Sequence, residues 1–229
     1  MGLSLEVGYL ADLLKNDSEG AQWFQEDIKR LNGFLTSVSL QPHSEPPACQ
    51  TFSCDMYGYS GLHYLRRIAA HLDLRSVLPP PGKDDPSKDP LLAEYYRLAQ
   101  ATRPGFLDRL FHRSHKARTF DHLLLHSDSE GYYLPQDFES VLFPPNVLKI
   151  PGTMVGSSNR LHEECQRLAD ALGLPLDLDP EEEIVWKAAE SQGEGETQWQ
   201  RYGIESFTCL RLYHASEHSL KNGAAIVFC

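Results

Sequence analysis

Phe120-Asp121-His122-Leu123-Leu124-Leu125-His126-Ser127-Asp128-Ser129-Glu130-Gly131-Tyr132-Tyr133-Leu134-Pro135 is the stretch on which the reading of this chain turns. Its first half, Phe120 to His126, is apolar between two histidines and is bounded by the polar turn Ser127 to Gly131, which predicts a buried strand. Alternate side chains of a strand share a face, so His122, Leu124 and His126 point one way and Leu123 and Leu125 the other. Tyr132-Tyr133-Leu134 is aromatic and β-prone, Gly131 is free to take positive φ, and Pro135 closes the segment; a hairpin is the simplest local geometry. Such a hairpin gathers His126, Asp128 and Glu130 at one strand end as candidate acid–base groups for hydrolysis, and together with His122 they form a candidate ligand set for a divalent metal such as zinc. A structural reading competes with this one. Asp and Ser in a connecting turn commonly bond their own backbone, and a histidine at a strand end is often a satisfied structural residue.

Working outward, the chain alternates helical and extended patterns. Residues 5–15 predict an amphipathic helix with Val7, Leu10, Leu13 and Leu14 on one face. Asn16-Asp17-Ser18 breaks it and caps a second helix carrying Trp23, Phe24, Ile28 and Leu31, which Asn32-Gly33 is expected to stop. Residues 41–58 read as irregular, Ser60 as the cap of a helix running through His71 that places His63 beside Arg66 and Arg67, and Leu91 to Ala101 as a further helix. Gly156-Ser157-Ser158-Asn159-Arg160 opens a helix ended by Gly173. Free N–H groups and hydroxyls converge at such a start, which makes Ser157, Ser158 and Arg160 candidate anion-binding residues, with plain capping as the alternative. A last helix from about Ile204 to Lys221 precedes Ala224 to Phe228, short and apolar enough for a buried terminal strand. The pattern predicts an α+β fold: one mixed domain over residues 1–229, with helices of the N-terminal half packed on a small, mostly antiparallel sheet. Residues 79–90 read as a flexible proline-rich insertion and 190–197 as an acidic loop.

Composition sets the class. A hydrophobic content of 41% with 10% aromatics suits a folded core, and the 229 residues contain no run of eighteen apolar positions and no apolar leader. A cytoplasmic protein without a membrane segment is expected. The five cysteines are odd in number and scattered, which argues against a disulfide framework. Cys49 and Cys54 with His43, Glu45 and His63 invite a zinc reading, against which stands small hydrophobic filler. The net charge is −11, and residues 161–229 hold thirteen Asp/Glu against five Lys/Arg, with Glu181-Glu182-Glu183 and residues 190–196 prominent. That surface should repel nucleic acid and attract a basic protein partner. Residues 103–118 go the other way, with Arg103, Arg109, Arg113, Lys116 and Arg118, and read as a phosphate-binding patch or the polar face of a helix.

No Gly-x-Ser-x-Gly elbow, phosphate loop, GxGxxG or HExxH is present. The block HSDSEGYYLPQDF at 126–138 followed by GSSNRLHEECQRLADALG at 156–173 resembles a pattern of uncharacterised bacterial proteins, some of which resemble the immunity proteins of toxin systems. That resemblance covers the second half only and supplies no catalytic residues; it implies a small cytoplasmic bacterial protein that neutralises a partner. Two classes of function therefore stand. The leading one is a non-catalytic, immunity-like binding protein whose acidic C-terminal third recognises a basic partner. The alternative is a metal-dependent, hydrolase-like enzyme centred on the segment from His122 to Glu130.

Overall fold

Five short strands form the centre of the molecule, in the order β2-β1-β5-β3-β4. The computed structural model describes residues 3–82, 84–101 and 117–229. The strands are β1 (Ser4–Val7), β2 (Phe52–Asp55), β3 (Tyr132–Leu134), β4 (Val155–Ser157) and β5 (Ile226–Phe228). All pairings between them are antiparallel except β3 with β4. The fold is α+β with a mostly antiparallel sheet, as the sequence predicts. The last strand is the central one: Glu6 and Tyr132 both lie opposite Val227, on its two sides.

Side-chain alternation gives the sheet two covered faces. Leu5, Val7, Cys54, Tyr133, Ile226 and Phe228 belong to one core, with residues of α3 (Gly58–Arg75), α4 (Pro90–Ala101), α6 (Ser158–Leu172), α7 (Glu183–Glu190) and α9 (Gly203–Asn222). Tyr132, Leu134, Val155 and Val227 belong to the other, with α1 (Tyr9–Asn16) and α2 (Ser18–Ser37). Two single-turn helices, α5 (Asp121–Leu124) and α8 (Gln198–Arg201), complete the set named here.

Several local expectations change. Residues 5–15 are not one helix: Leu5 and Val7 are buried as alternate residues of β1, and Gly8, at φ 78°, turns the chain into α1. Asp17 caps α2 by accepting from the Gly20 N–H at 3.0 Å, but the helix runs past Asn32-Gly33 to Ser37. There the Asn32 amide bonds both the N–H and the carbonyl of His43, at 2.7 and 2.8 Å, and serves the following loop instead of stopping the helix. Residues 41–58 contain β2, which the sequence pattern misses.

The largest correction falls on the opening stretch. Phe120 to His126 is not a strand, and no hairpin forms; residues 121–124 make one helical turn, and Tyr132–Leu134 pairs with β4 and β5. The cause is tertiary. Glu164 of α6 reaches in to accept the N–H groups of His122 and Leu123 at 3.0 and 2.7 Å, capping that turn from a distance. Gly131 does take positive φ, at 97°.

Candidate functional site

The four candidate side chains from His122 to Glu130 each face different partners. His122 Nδ1 accepts from the Ser157 N–H at 2.9 Å, so the ring proton lies on Nε2, which donates to the Glu139 carbonyl at 3.2 Å. His126 is buried and stacked on Tyr133 at 4.0 Å, with its ring nitrogens 3.2 and 3.1 Å from the carbonyls of Ser127 and Tyr132. Burial pushes both imidazoles down to about 4, against the hydrogen bonds to those carbonyls. Glu130 accepts from the Gly152 N–H at 3.0 Å.

Asp128 meets α3, pairing with Arg66 and lying 3.3 Å from His63 Nε2. Burial alone would raise its pKa, but the His63 hydrogen bond and the Arg66 charge outweigh burial and hold the carboxyl well below the usual range. His63, Arg66, Tyr96, Leu124, Leu125, Asp128 and Met154 line a cavity of about 350 Å³. Among the described residues, no group of three or more His, Cys, Asp or Glu side chains is arranged to hold a metal ion.

Of the remaining candidates, Ser157 touches this segment through its N–H on His122. His43 and Glu45 form a buried pair at 2.6 Å, and Glu45 also accepts from the Ala225 N–H, pinning the loop after α2 to the start of β5. Cys49 is partly buried beside Gly8, whereas Cys54 lies inside β2, where burial pushes its thiol up to about 12. Ser157 Oγ donates to the Gln136 carbonyl at 2.6 Å and accepts from the Arg160 N–H, while Ser158 Oγ lies 2.7 Å from Ser219 Oγ. Because the Ser219 hydroxyl donates to the Ala224 carbonyl, Ser158 is the donor of that pair; both hydroxyls are spent on internal bonds, and the Arg160 side chain pairs with Asp137 and Glu163. Of the basic stretch 103–118, residues 103–116 lie outside the described residues, and Arg118 is paired with Asp73 at 2.7 Å.

The acidic surface is the other candidate, and it has a defined support. Residues 170–196 hold nine carboxylates, Asp170, Asp177, Asp179, Glu181, Glu182, Glu183, Glu190, Glu194 and Glu196, against the single cation Lys187. All nine residues are exposed. Glu183 and Glu190 are the two ends of α7, with Glu183 in its first turn, where the macrodipole favours an anion. Its inner side buries Val185, Ala188 and Ala189, which leaves Glu183, Lys187 and Glu190 outward at helical spacing. Lys187 is taken by Glu183 at 2.7 Å. Among the described residues, Asp170, Asp177, Glu182, Glu190, Glu194 and Glu196 have no cation paired with them.

Three side chains fix this surface. Arg211 of α9, fully buried and 3.5 Å from the Phe207 ring centre, donates to Glu181 and to the Asp55 carbonyl, both at 2.7 Å. Arg201 donates to the Gly195 and Glu196 carbonyls at 3.1 and 3.3 Å, which holds the backbone that carries Glu196. Gln192, buried within the acidic run, donates to Glu205 at 2.7 Å and accepts from the Ile204 N–H at 2.8 Å. Sequence reasoning missed all three, because Arg211, Arg201 and Gln192 act through partners that only the fold brings near.

It also missed Gly203. A methyl there would coincide with the Ala188 carbonyl, so glycine is what lets α7 lie against α9. Gly203→Ala is expected to cost about 1–3 kcal/mol, as overpacking does. The cost should concentrate in α7. Hydrogen exchange of residues 183–190 should accelerate well beyond that of β5, and unchanged exchange there would show that the close approach does not hold the helix.

Comparison with known proteins gives one family and nothing nearer. A family model described as "Putative DNA-mimic protein" matches residues 1–228. No curated protein and no solved structure matches the chain. The family match corrects the partner expectation. A basic protein of no particular kind, with nucleic acid playing no part, is not where this family points; it points to a DNA-binding protein, which brings nucleic acid in as the competing ligand.

Proposed function

The chain belongs to this DNA-mimic family, and from that premise we propose that it binds the DNA-contacting surface of a DNA-binding protein without catalysing a reaction. The observation that carries this reading is the run of nine exposed carboxylates over residues 170–196 against one lysine, on backbone held by Arg211, Arg201 and Gln192.

The physics of DNA binding explains why carboxylates suffice. Lys and Arg contacts to phosphates supply much of a DNA-binding protein's affinity, and they read charge and position, not sequence. A carboxylate accepts the same charge-assisted, bidentate bonds from arginine that a phosphate does. Carboxylates fixed on a rigid support lose little side-chain freedom on binding, whereas a disordered acidic tail would first have to be ordered. Among the described residues no helix is long and apolar enough to cross a membrane, which leaves these helices free for a role in water.

The test is competition with DNA. The chain is immobilised, exposed to a nuclease-treated cell extract and eluted with a short duplex, and each released protein is assayed for DNA binding with and without the free chain. The proposal expects at least one released protein whose DNA binding the free chain inhibits. The variant E182Q/E190Q/E194Q/E196Q should inhibit at least about tenfold less well, equivalent to about 1.4 kcal/mol. Release by salt but never by duplex, or full inhibition by the quadruple variant, would remove the acidic surface from the account.

A further inference from the structure

We propose that Trp23, on the outer face of α2, is a second contact at which a DNA-binding partner lays an arginine across the indole, between Glu19 and Glu26. This rests on the DNA-mimic reading above. It concerns a different surface, since α1 and α2 cover the opposite face of the sheet from α7 and α9.

The sequence groups Trp23 with Phe24, Ile28 and Leu31 on one helix, but the fold separates them. The helix buries Ala21, Phe24, Ile28, Leu31, Phe34 and Leu35 and leaves Trp23 68% exposed. A tryptophan is highly buried on average in folded proteins, and an indole open to water on a regular helix is the informative exception. Tryptophan and arginine are also the residues most enriched at the energetic centres of interfaces.

Its surroundings select the occupant. On a helix the surface neighbours of residue 23 lie three and four positions away, which here are Glu19, Gly20, Glu26 and Asp27. Asp27 is taken by Arg30, whereas Glu19 and Glu26 have no ion pair among the described residues. The indole is thus bracketed by two unpaired carboxylates. A guanidinium is planar and weakly hydrated, stacks on an indole face, and still offers its N–H fork to carboxylates beside it; an ammonium group does the first of these poorly. An arginine that reads DNA finds a flat π-face in a base and an anion in a phosphate. Trp23 with Glu19 and Glu26 offers that same combination.

Nona-arginine and nona-lysine peptides, each carrying a fluorophore, serve as probes. Affinity is read by anisotropy, and location by the indole N–H resonances of Trp23, Trp186 and Trp199 in nitrogen-labelled protein, with W23F assigning the first. The proposal expects the arginine peptide to move the Trp23 resonance at about one tenth of the lysine peptide's concentration. W23A should weaken arginine-peptide binding about 30-fold, the factor that marks an interface hot spot, and E19Q/E26Q about tenfold, with the far-ultraviolet spectrum unchanged in both. If the peptide binds, the quadruple variant of the acidic segment loses it, and Trp23 neither moves nor matters, this second contact is overturned and the DNA-mimic reading stands. If neither peptide binds anywhere on the folded chain, both fall.

Discussion

Replacing Arg66 by alanine is expected to lower the stability of the fold by about 2–5 kcal/mol, the cost of leaving buried backbone carbonyls without their donor. The guanidinium is almost wholly buried and donates to the Leu123, His126 and Ser127 carbonyls at 2.8, 2.8 and 3.3 Å while pairing with Asp128. One planar group therefore serves three backbone acceptors; its loss leaves the Leu123 and His126 carbonyls without that donor, while the less buried Ser127 carbonyl keeps the His126 ring beside it. Those carbonyls belong to the segment joining α5 to β3, and Tyr133 of β3 in turn donates to the His122 carbonyl at 2.8 Å. The loss should pass into the sheet. Arg66→Lys should recover less than half of it, because an ammonium cannot span the fork. Asp128→Asn should cost far less than Arg66→Ala, since that carboxylate is more than a third exposed and screened by water. Urea unfolding checks the set, and an Arg66→Ala midpoint within about 1 kcal/mol of the parent would mean that the carbonyls find other donors.

Glu205→Gln is expected to stabilise the protein at pH 8 relative to pH 4. Glu205 lies fully buried in the first turn of α9, where burial, opposed by the hydrogen bond from Gln192, pushes its carboxyl up to about 7. A carboxyl whose pKa is raised on folding contributes stability that is complete below its unfolded value, near 4.5, and that is lost as pH rises through about 7. That difference of about 2.5 units corresponds to about 3 kcal/mol. The informative quantity is the gap between variant and parent, since His122 and His126 impose the opposite trend on both. Their lowered pKa values make stability fall as pH drops from 6.5 towards about 4. Thermal unfolding at pH 4, 6 and 8 reads the gap, which should widen in favour of glutamine across the series. A gap that does not change with pH would mean that Glu205 is ionised in the fold throughout.

Much of the scaffold was legible because local signals and tertiary structure agree there. Gly173 and Gly223 end α6 and α9 with positive φ, Asp17 caps α2, and the apolar run at the C-terminus is a fully buried strand. The fold class followed from these elements. The stretch from Phe120 to His126 was not legible, since a short apolar run is compatible with either strand or helix and Glu164, more than forty residues away, decides between them. The candidate site divides in the same way. The excess of carboxylates in the last third is a property of composition and reads directly from the sequence. The buried anchors Arg211 and Gln192 do not, because nothing local distinguishes them from surface polar residues. The exposure of Trp23 was not legible for a related reason: a helix that is apolar at residues 21, 23, 24 and 28 has one apolar residue too many for a single stripe, and only packing shows which is left out.

The placement of β5 also constrains the order of events in folding. Strands β1 and β2 form one ribbon and β3 and β4 another, and among the described residues the sheet joins the two ribbons through Ile226–Phe228. β5 lies more than two hundred positions downstream of β1, so joining the two ribbons closes a very long loop of chain. A two-stranded ribbon of three or four residues is marginal alone, so each is expected to gain its stability only once β5 lies between them.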